Sequence, residues 1–303
     1  MQKCISLIIN RFFKSYFLKL SIDLFTFSRN LFLFLSVSSL FIGGAGFFNT
    51  YIGYLLLGIS PNIAVCSAAF LVSFSVYTLD KITDLDKDVV SMPSRAQFLQ
   101  RKKGLAIILS SLAYLLSSII LFVGEPISSL LLLVPIAANV VYGKKLIPGV
   151  PRLKDIPVMK NAIVASSWAL VTVIIPITYQ SKLQSSPSFM VIFVVLYFMF
   201  IKMFINTILY DIRDELGDRI NNVRTIPVLI GSKKTCKLLL ALNSTLFLVL
   251  PWLRDLNRLL VLALVAYGYA YILYFSQPRD PLALDLCVDG EFMLVCLILR
   301  GIF

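Results

Sequence analysis

Apolar residues run along this chain in long blocks, separated by short charged segments. A bilayer-crossing helix needs about 20 predominantly apolar residues. Blocks of that kind fall at 31–56, 61–79, 104–123, 126–143, 161–180, 187–209, 236–253, 258–276 and 284–303. The last is the weakest, because Asp285, Asp289 and Glu291 interrupt it. The pattern predicts an all-α fold, a polytopic membrane protein of about nine transmembrane helices, or eight without the last block. No low-complexity tract or soluble domain breaks the series, so 1–303 is expected to form a single transmembrane domain.

Composition excludes the alternative of a water-soluble globule. Of the 303 residues 58% are hydrophobic, and only 15% are charged, where a soluble domain carries about 25%. Mean hydropathy is +0.87. There is no histidine, which removes imidazole acid–base catalysis, Ser-His-Asp triads and His-ligated metals. The five cysteines, Cys4, Cys66, Cys236, Cys287 and Cys296, form no CxxC pair. They read as small packing residues rather than a disulfide framework.

The net charge of +12 becomes informative once it is mapped onto the spans. With the N-terminus cytoplasmic, the cytoplasmic segments are the N-terminal arm, 80–103, 144–160, 211–237 and 277–283. They hold 23 Lys/Arg, against four on the opposite side. That asymmetry is a positive-inside signal, and it explains the basic excess without a nucleic-acid partner. Residues 1–30 interleave Lys3, Arg11, Lys14 and Lys19 with Phe, Leu and Ile. Their apolar stretch is too short for a signal-peptide core, so an amphipathic segment on the cytoplasmic face is expected.

Eleven of the 16 acidic residues lie on that same face, and eight of these form two clusters. Asp80, Asp84, Asp86 and Asp88 follow the second span; Asp211, Asp214, Glu215 and Asp218 follow the sixth. Asp80, Asp84 and Asp88 are spaced i, i+4, i+8, and Asp211, Asp214 and Asp218 are spaced i, i+3, i+7. Either spacing puts three carboxylates on one helix face, where like charges repel. A divalent cation relieves the repulsion, and oxygen-only donors select Mg²⁺ or Mn²⁺ over zinc. Mg²⁺ prefers one or two carboxylates plus substrate phosphates, so two acidic stripes suggest a diphosphate held between them through metal.

The second cluster continues as Asp218-Arg-Ile-Asn-Asn-Val-Arg224-Thr225-Ile-Pro227-Val-Leu-Ile-Gly231. Asp211, Arg213, Asp214, Gly217, Asp218, Arg219, Arg224, Thr225, Pro227 and Gly231 fall on D-x-R-D-x-x-G-D-R followed by R-T-x-P-x-x-x-G. This resembles the second aspartate-rich motif of the UbiA superfamily of intramembrane prenyltransferases. The first cluster resembles the family's N-D-x-x-D-x-x-x-D motif, with Asp80, Asp84 and Asp88 in register. Two departures occur there: Asp80 stands for the leading Asn, and Lys81 for the neighbouring Asp. The segment Lys154-Asp155-Ile-Pro157-Val-Met-Lys160-Asn161 resembles the stretch before the fifth span in many members.

The resemblance implies helices bundled around a central cavity, and transfer of a prenyl group from a polyprenyl diphosphate to an acceptor. It implies metal binding by Asp80, Asp84, Asp211 and Asp214, then Asp88 and Asp218, with one metal at each motif. Arg224, Lys154 and Lys160 are candidate diphosphate partners. Tyr77, Tyr142 and Tyr210 end spans beside the clusters, where a π face could stabilise a carbocation, although an interfacial aromatic belt explains them more simply. Arg213 and Arg219 are expected to pair with neighbouring aspartates. Lys202, inside a span, needs a partner or a snorkelling route. The acceptor is aromatic or of a glycerol-phosphate lipid type, haem being a further candidate. An ion or organic-anion transporter is the competing class, but transporters place such groups near the midplane. A CDP-alcohol phosphotransferase is also Asp-rich, yet its D-G-x-x-A-R signature is missing.

Overall fold

The computed structural model describes residues 26–83, 85, 93–137, 156–180, 187–220 and 223–300. Every described element is helical, with no strand among the described residues. In chain order they are α1 (26–37), α2 (Leu40–Leu57), α3 (Ile63–Thr83), α4 (Pro93–Gly124), α5 (Pro126–Ala137), α6 (Met159–Gln180) and α7 (Phe189–Ile220). Then follow α8 (Ile226–Ile230), α9 (Ser232–Trp252), α10 (Asp255–Tyr274), α11 (Pro281–Leu284), a π turn over Asp285–Asp289, and α12 (Glu291–Arg300). Seven of these, α2, α3, α4, α6, α7, α9 and α10, are long and apolar enough to cross a bilayer. The chain is an integral membrane protein.

All nine predicted spans have helix at their positions. Two fall short of a full crossing for local reasons. α5 is described only to Ala137, so the remainder of 126–143 lies outside the described residues. The final block breaks where its carboxylates sit, and the π turn carries Asp285 and Asp289 toward the bundle. The N-terminal segment 1–25 also lies outside the described residues.

Packing closes the bundle on itself. α2 lies against α3, α6 and α12, α6 against α7, α9 against α7 and α10, and α10 against α12. Without a hydrophobic drive between helices in lipid, small residues set how closely backbones approach. Gly53 of α2 is such a point, because a Cβ there would collide with the Thr172 carbonyl of α6. Tyr77 of α3 stacks on Trp168 of α6 at 5.5 Å between centroids, which ties the first acidic helix to the neighbour of the second. The outward face of α4 (Ile108, Leu112, Leu115, Ile119, Phe122) stays exposed, as a lipid-facing stripe must. Cys66 and Cys236 are buried, and the four described cysteines are free thiols, as their apolar settings predicted.

Length places the chemistry. At 1.5 Å per residue the 32 residues of α7 extend about 48 Å, well beyond a hydrocarbon core of about 30 Å. Its last turns therefore leave the apolar layer while remaining helical. Those turns carry Asp211, Asp214 and Asp218.

Candidate active site

The face predicted for the second cluster is present: Asp211, Asp214 and Asp218 follow one another on the uninterrupted helix α7. Asp211 is only 3% exposed. A carboxylate so buried needs hydrogen bonds and a counter-charge, and both come from the first turn of α6. Asn161 donates through Nδ2 to Asp211 Oδ2 at 2.8 Å, and Lys160 Nζ lies 3.5 Å from Oδ1. Lys160 keeps 47% of its side chain exposed, so it spans from the buried carboxylate to the open rim. Asp218, half-buried, has Asp211, Asp214 and Lys160 as its electrostatic neighbours.

Asp214 is held differently. Arg213 grips it with both forks, Nε to Oδ1 at 2.9 Å and Nη2 to Oδ2 at 2.8 Å. The same guanidinium lies 4.8 Å from the Tyr210 ring centroid and has Nη1 3.9 Å from Asp285. Arg213 pairs with an aspartate as expected. Arg219 instead donates to Glu215 at 2.8 Å, one turn back on its own helix. Ser232 at the start of α9 donates to that same Glu215, which ties the connection carrying Arg224 and Thr225 back onto α7. Arg224 is exposed in that connection.

Asp80 sits in the last turns of α3, half-buried, and its carbonyl accepts from Thr83 Oγ1 at 2.8 Å. Asp84, Asp88, Tyr142 and Lys154 lie outside the described residues. Tyr77 packs on Trp168, and Tyr210 donates to Asp285 at 3.3 Å. Lys202 does not snorkel: it is fully buried, pairs with Glu291, and donates to Tyr271 Oη at 3.0 Å and the Leu264 carbonyl at 3.2 Å. Asn206 accepts from Tyr271 at 3.2 Å and bonds between helices.

Two contributions were not read from the sequence as site features. Asn161 fixes Asp211, and the π turn brings Asp285 and Asp289 to the second acidic helix. The only sequence signal for the latter was acid interrupting an otherwise apolar block.

Among the described residues, no three carboxylate or thiol side chains converge into a preformed cage for an ion. The donor chemistry nevertheless fits a hard divalent cation: carboxylate oxygens only, two of them balanced by cationic side chains that a metal would replace. One or two protein carboxylates per ion, completed by water and phosphate oxygens, is the usual Mg²⁺ arrangement.

The all-helical membrane bundle thus carries an acidic, cation-balanced rim at the end of an over-long helix. The chain matches the UbiA prenyltransferase family over residues 32–286, and it belongs to that family. Among solved structures it is similar to a UbiA homolog from Archaeoglobus fulgidus bound to DMAPP and Mg²⁺. That pair shares 15% identity at a TM-score of 0.61, over 89% of this chain and 99% of the other. A GPP- and Mg²⁺-bound structure of a UbiA homolog from the same organism gives 0.57 at 15% identity, covering 89% and 98%. The apo UbiA homolog from Aeropyrum pernix K1 gives 0.60 at 15% identity, covering 87% and 98%. At that identity the likeness speaks for the fold. No curated protein sequence matches the chain.

Proposed function

We propose that this protein is a Mg²⁺-dependent intramembrane prenyltransferase, moving a prenyl group from a polyprenyl diphosphate to an aromatic or glycerol-phosphate-type acceptor. One observation carries the reading: Asp211, buried at the rim of α7, is held by Asn161 and faced by Lys160. That is a carboxylate fixed in place yet adjoining an exposed cation, as an anionic substrate delivered with metal requires. The relatives bound to DMAPP or GPP with Mg²⁺ support the choice of substrate and ion.

In this reading Asp80, Asp84 and Asp88 hold one Mg²⁺, and Asp211, Asp214 and Asp218 the other. Mg²⁺ supplies Lewis-acid neutralisation of the diphosphate. Lys160, Lys154 and Arg224 add electrostatic clamping of the leaving group. The allylic C–O bond breaks with its electron pair leaving on diphosphate; the acceptor attacks the freed carbon, and its proton passes to diphosphate, an aspartate or water. The apolar bundle keeps water from the carbocation, and Tyr142 offers it a π face. The acidic rim faces the cytoplasm, on the side of the basic loops, and 1–303 works as one domain.

Purified chain in lipid nanodiscs tests this directly. Geranyl diphosphate is expected to bind in Mg²⁺ and to be released by EDTA, and an acceptor screen read by mass spectrometry should give a prenylated product with free diphosphate. Binding that persists unchanged in EDTA refutes the mechanism.

A further inference from the structure

Arg213 stands between two carboxylates. Its fork occupies both oxygens of Asp214, while Nη1 is 3.9 Å from Asp285. Asp214 keeps outer lone pairs and 35% of its side chain exposed, but a cation approaching it meets the positive guanidinium, so it binds best when Arg213 draws away. The guanidinium is itself poorly placed to be left alone: its side chain is 15% exposed, and stranding a largely buried charge is costly.

Asp285 is built to receive it. The π turn brings this carboxylate inward to 8% exposure. Ser36 Oγ donates to Oδ2 at 2.5 Å, and Tyr210 Oη donates to Oδ1 at 3.3 Å. Lys81 donates to the Ser36 carbonyl at 2.7 Å, which secures the residue that holds Asp285 from the other side. The Tyr210 ring lies against the guanidinium, so Arg213 has a flat surface along which to pivot. Movement of about 1 Å would bring Nη1 from 3.9 Å to ordinary hydrogen-bonding distance of Asp285. Asp289, whose cationic neighbours are Lys81 and Arg213, adds negative charge on the receiving side.

We propose that Asp285 is a positioning residue for Asp214: it takes over the Arg213 guanidinium when Asp214 turns to a cation. The proposal rests on the reading of Asp214 as a metal ligand. In the metal-free protein Arg213 is engaged by Asp214. With a cation present, the two acids exchange roles, and the guanidinium keeps a carboxylate partner in either state. Asp285 therefore stabilises the cation-bound state selectively, although it contacts neither the cation nor the substrate.

The test is retention of Mn²⁺ by the full-length chain in nanodiscs, dialysed against MnCl₂ and inorganic diphosphate. D285N is expected to bind Mn²⁺ about tenfold more weakly, the scale on which outer partners tune a metal site. D285E, which keeps the charge, is expected to restore most of that loss. In an R213Q background D285N should cause no further change, because no guanidinium remains to be handed over. R213Q alone should bind at least as tightly as wild type, which decides the matter if D285N fails to fold by gel filtration. Wild-type affinity in D285N, an equal loss in both backgrounds, or weaker binding by R213Q overturns the hand-over. A wild-type chain that retains no Mn²⁺ overturns the metal reading beneath it, and is thereby told apart from failure of the hand-over alone.

Discussion

Lys202 and Asp211 are nine residues apart on the same helix, about 13 Å along its axis, and each is a buried charge with an ionic partner. They are solved in opposite ways. Lys202 and Glu291 are both fully buried, and the lysine is also bonded to Tyr271 and the Leu264 carbonyl. Tyr271 in turn reaches Asn206 and Glu291. Every partner in this layer belongs to the bundle, and none faces water. At Asp211 the partner is a lysine that remains 47% exposed and stands 3.5 Å away, and at Asp214 the grip belongs to an arginine with a second carboxylate nearby. One layer is closed and self-sufficient. The other is held by cations that, in the proposed function, a substrate complex would displace. Burial alone does not separate structural charge from working charge; replaceability of the partner does.

The sharpest way to break this comparison is to remove one member of the closed pair. Lys202→Ala strands Glu291 without water, and losing one partner of a buried pair costs about 3–5 kcal/mol. Thermal unfolding in detergent should show a large fall in midpoint. Replacing both, as Lys202→Met with Glu291→Leu, should recover most of the stability, because the pair pays for its own desolvation rather than adding to the fold. A single mutant as stable as wild type would mean that the layer is hydrated after all.

The rim should respond in the opposite sense. Asp211→Ala or Asp214→Ala is expected to lower turnover by about 10²–10³-fold, the scale of deleting one preorganised electrostatic group, with a smaller fall in unfolding midpoint than Lys202→Ala, because Lys160 is half exposed and Arg213 has Asp285 as a second partner. Loss of stability without loss of turnover in these variants would erase the distinction drawn between the layers. Between the two lies Gly268 of α10. A Cβ there would stand 2.5 Å from Asn243 Oδ1 and 3.0 Å from Lys202 Nζ. Gly268→Ala overpacks the closed layer and should cost about 1–3 kcal/mol in an unfolding measurement, with geranyl diphosphate affinity of the folded fraction unaltered.

How much of this was legible beforehand follows from what spacing can and cannot encode. The run of 187–209 announced a span, and i, i+3, i+7 spacing put Asp211, Asp214 and Asp218 on one face, because both are properties of a single helix. The bond from Asn161 to Asp211 crosses 50 positions and has no local signature. The Lys202–Glu291 pair was equally hidden. Each residue alone looked like an expensive exception, and only the packing of α10 and α12 against the bundle makes the pair. The π turn was legible only as acid interrupting an apolar block; that its Asp285 turns inward to Ser36, Tyr210 and Arg213 was not. Local periodicity was informative; partnership between distant helices was not.

Lys160 offers the smallest effect and the finest distinction. It touches Asp211 loosely, so two roles are open to it in principle, and they differ in sign. As a diphosphate clamp, its loss weakens substrate binding. As a mere counter-ion to Asp211, its loss removes a competitor of the metal and tightens divalent-cation binding. The exposed half of its side chain favours the first role, since a pure counter-ion has no reason to keep its charge accessible at the rim. Lys160→Gln should therefore raise the KM for geranyl diphosphate about tenfold, equivalent to roughly 1.4 kcal/mol, with kcat nearly unchanged. The effect should shrink as salt is added, because a half-exposed cation is screened. Steady-state kinetics at two ionic strengths, with Mn²⁺ retention measured in parallel, reads both signs at once. Tighter Mn²⁺ binding with an unchanged KM would move Lys160 from the working layer to the balancing one, leaving Arg224 and Lys154 as the cations assigned to the leaving group.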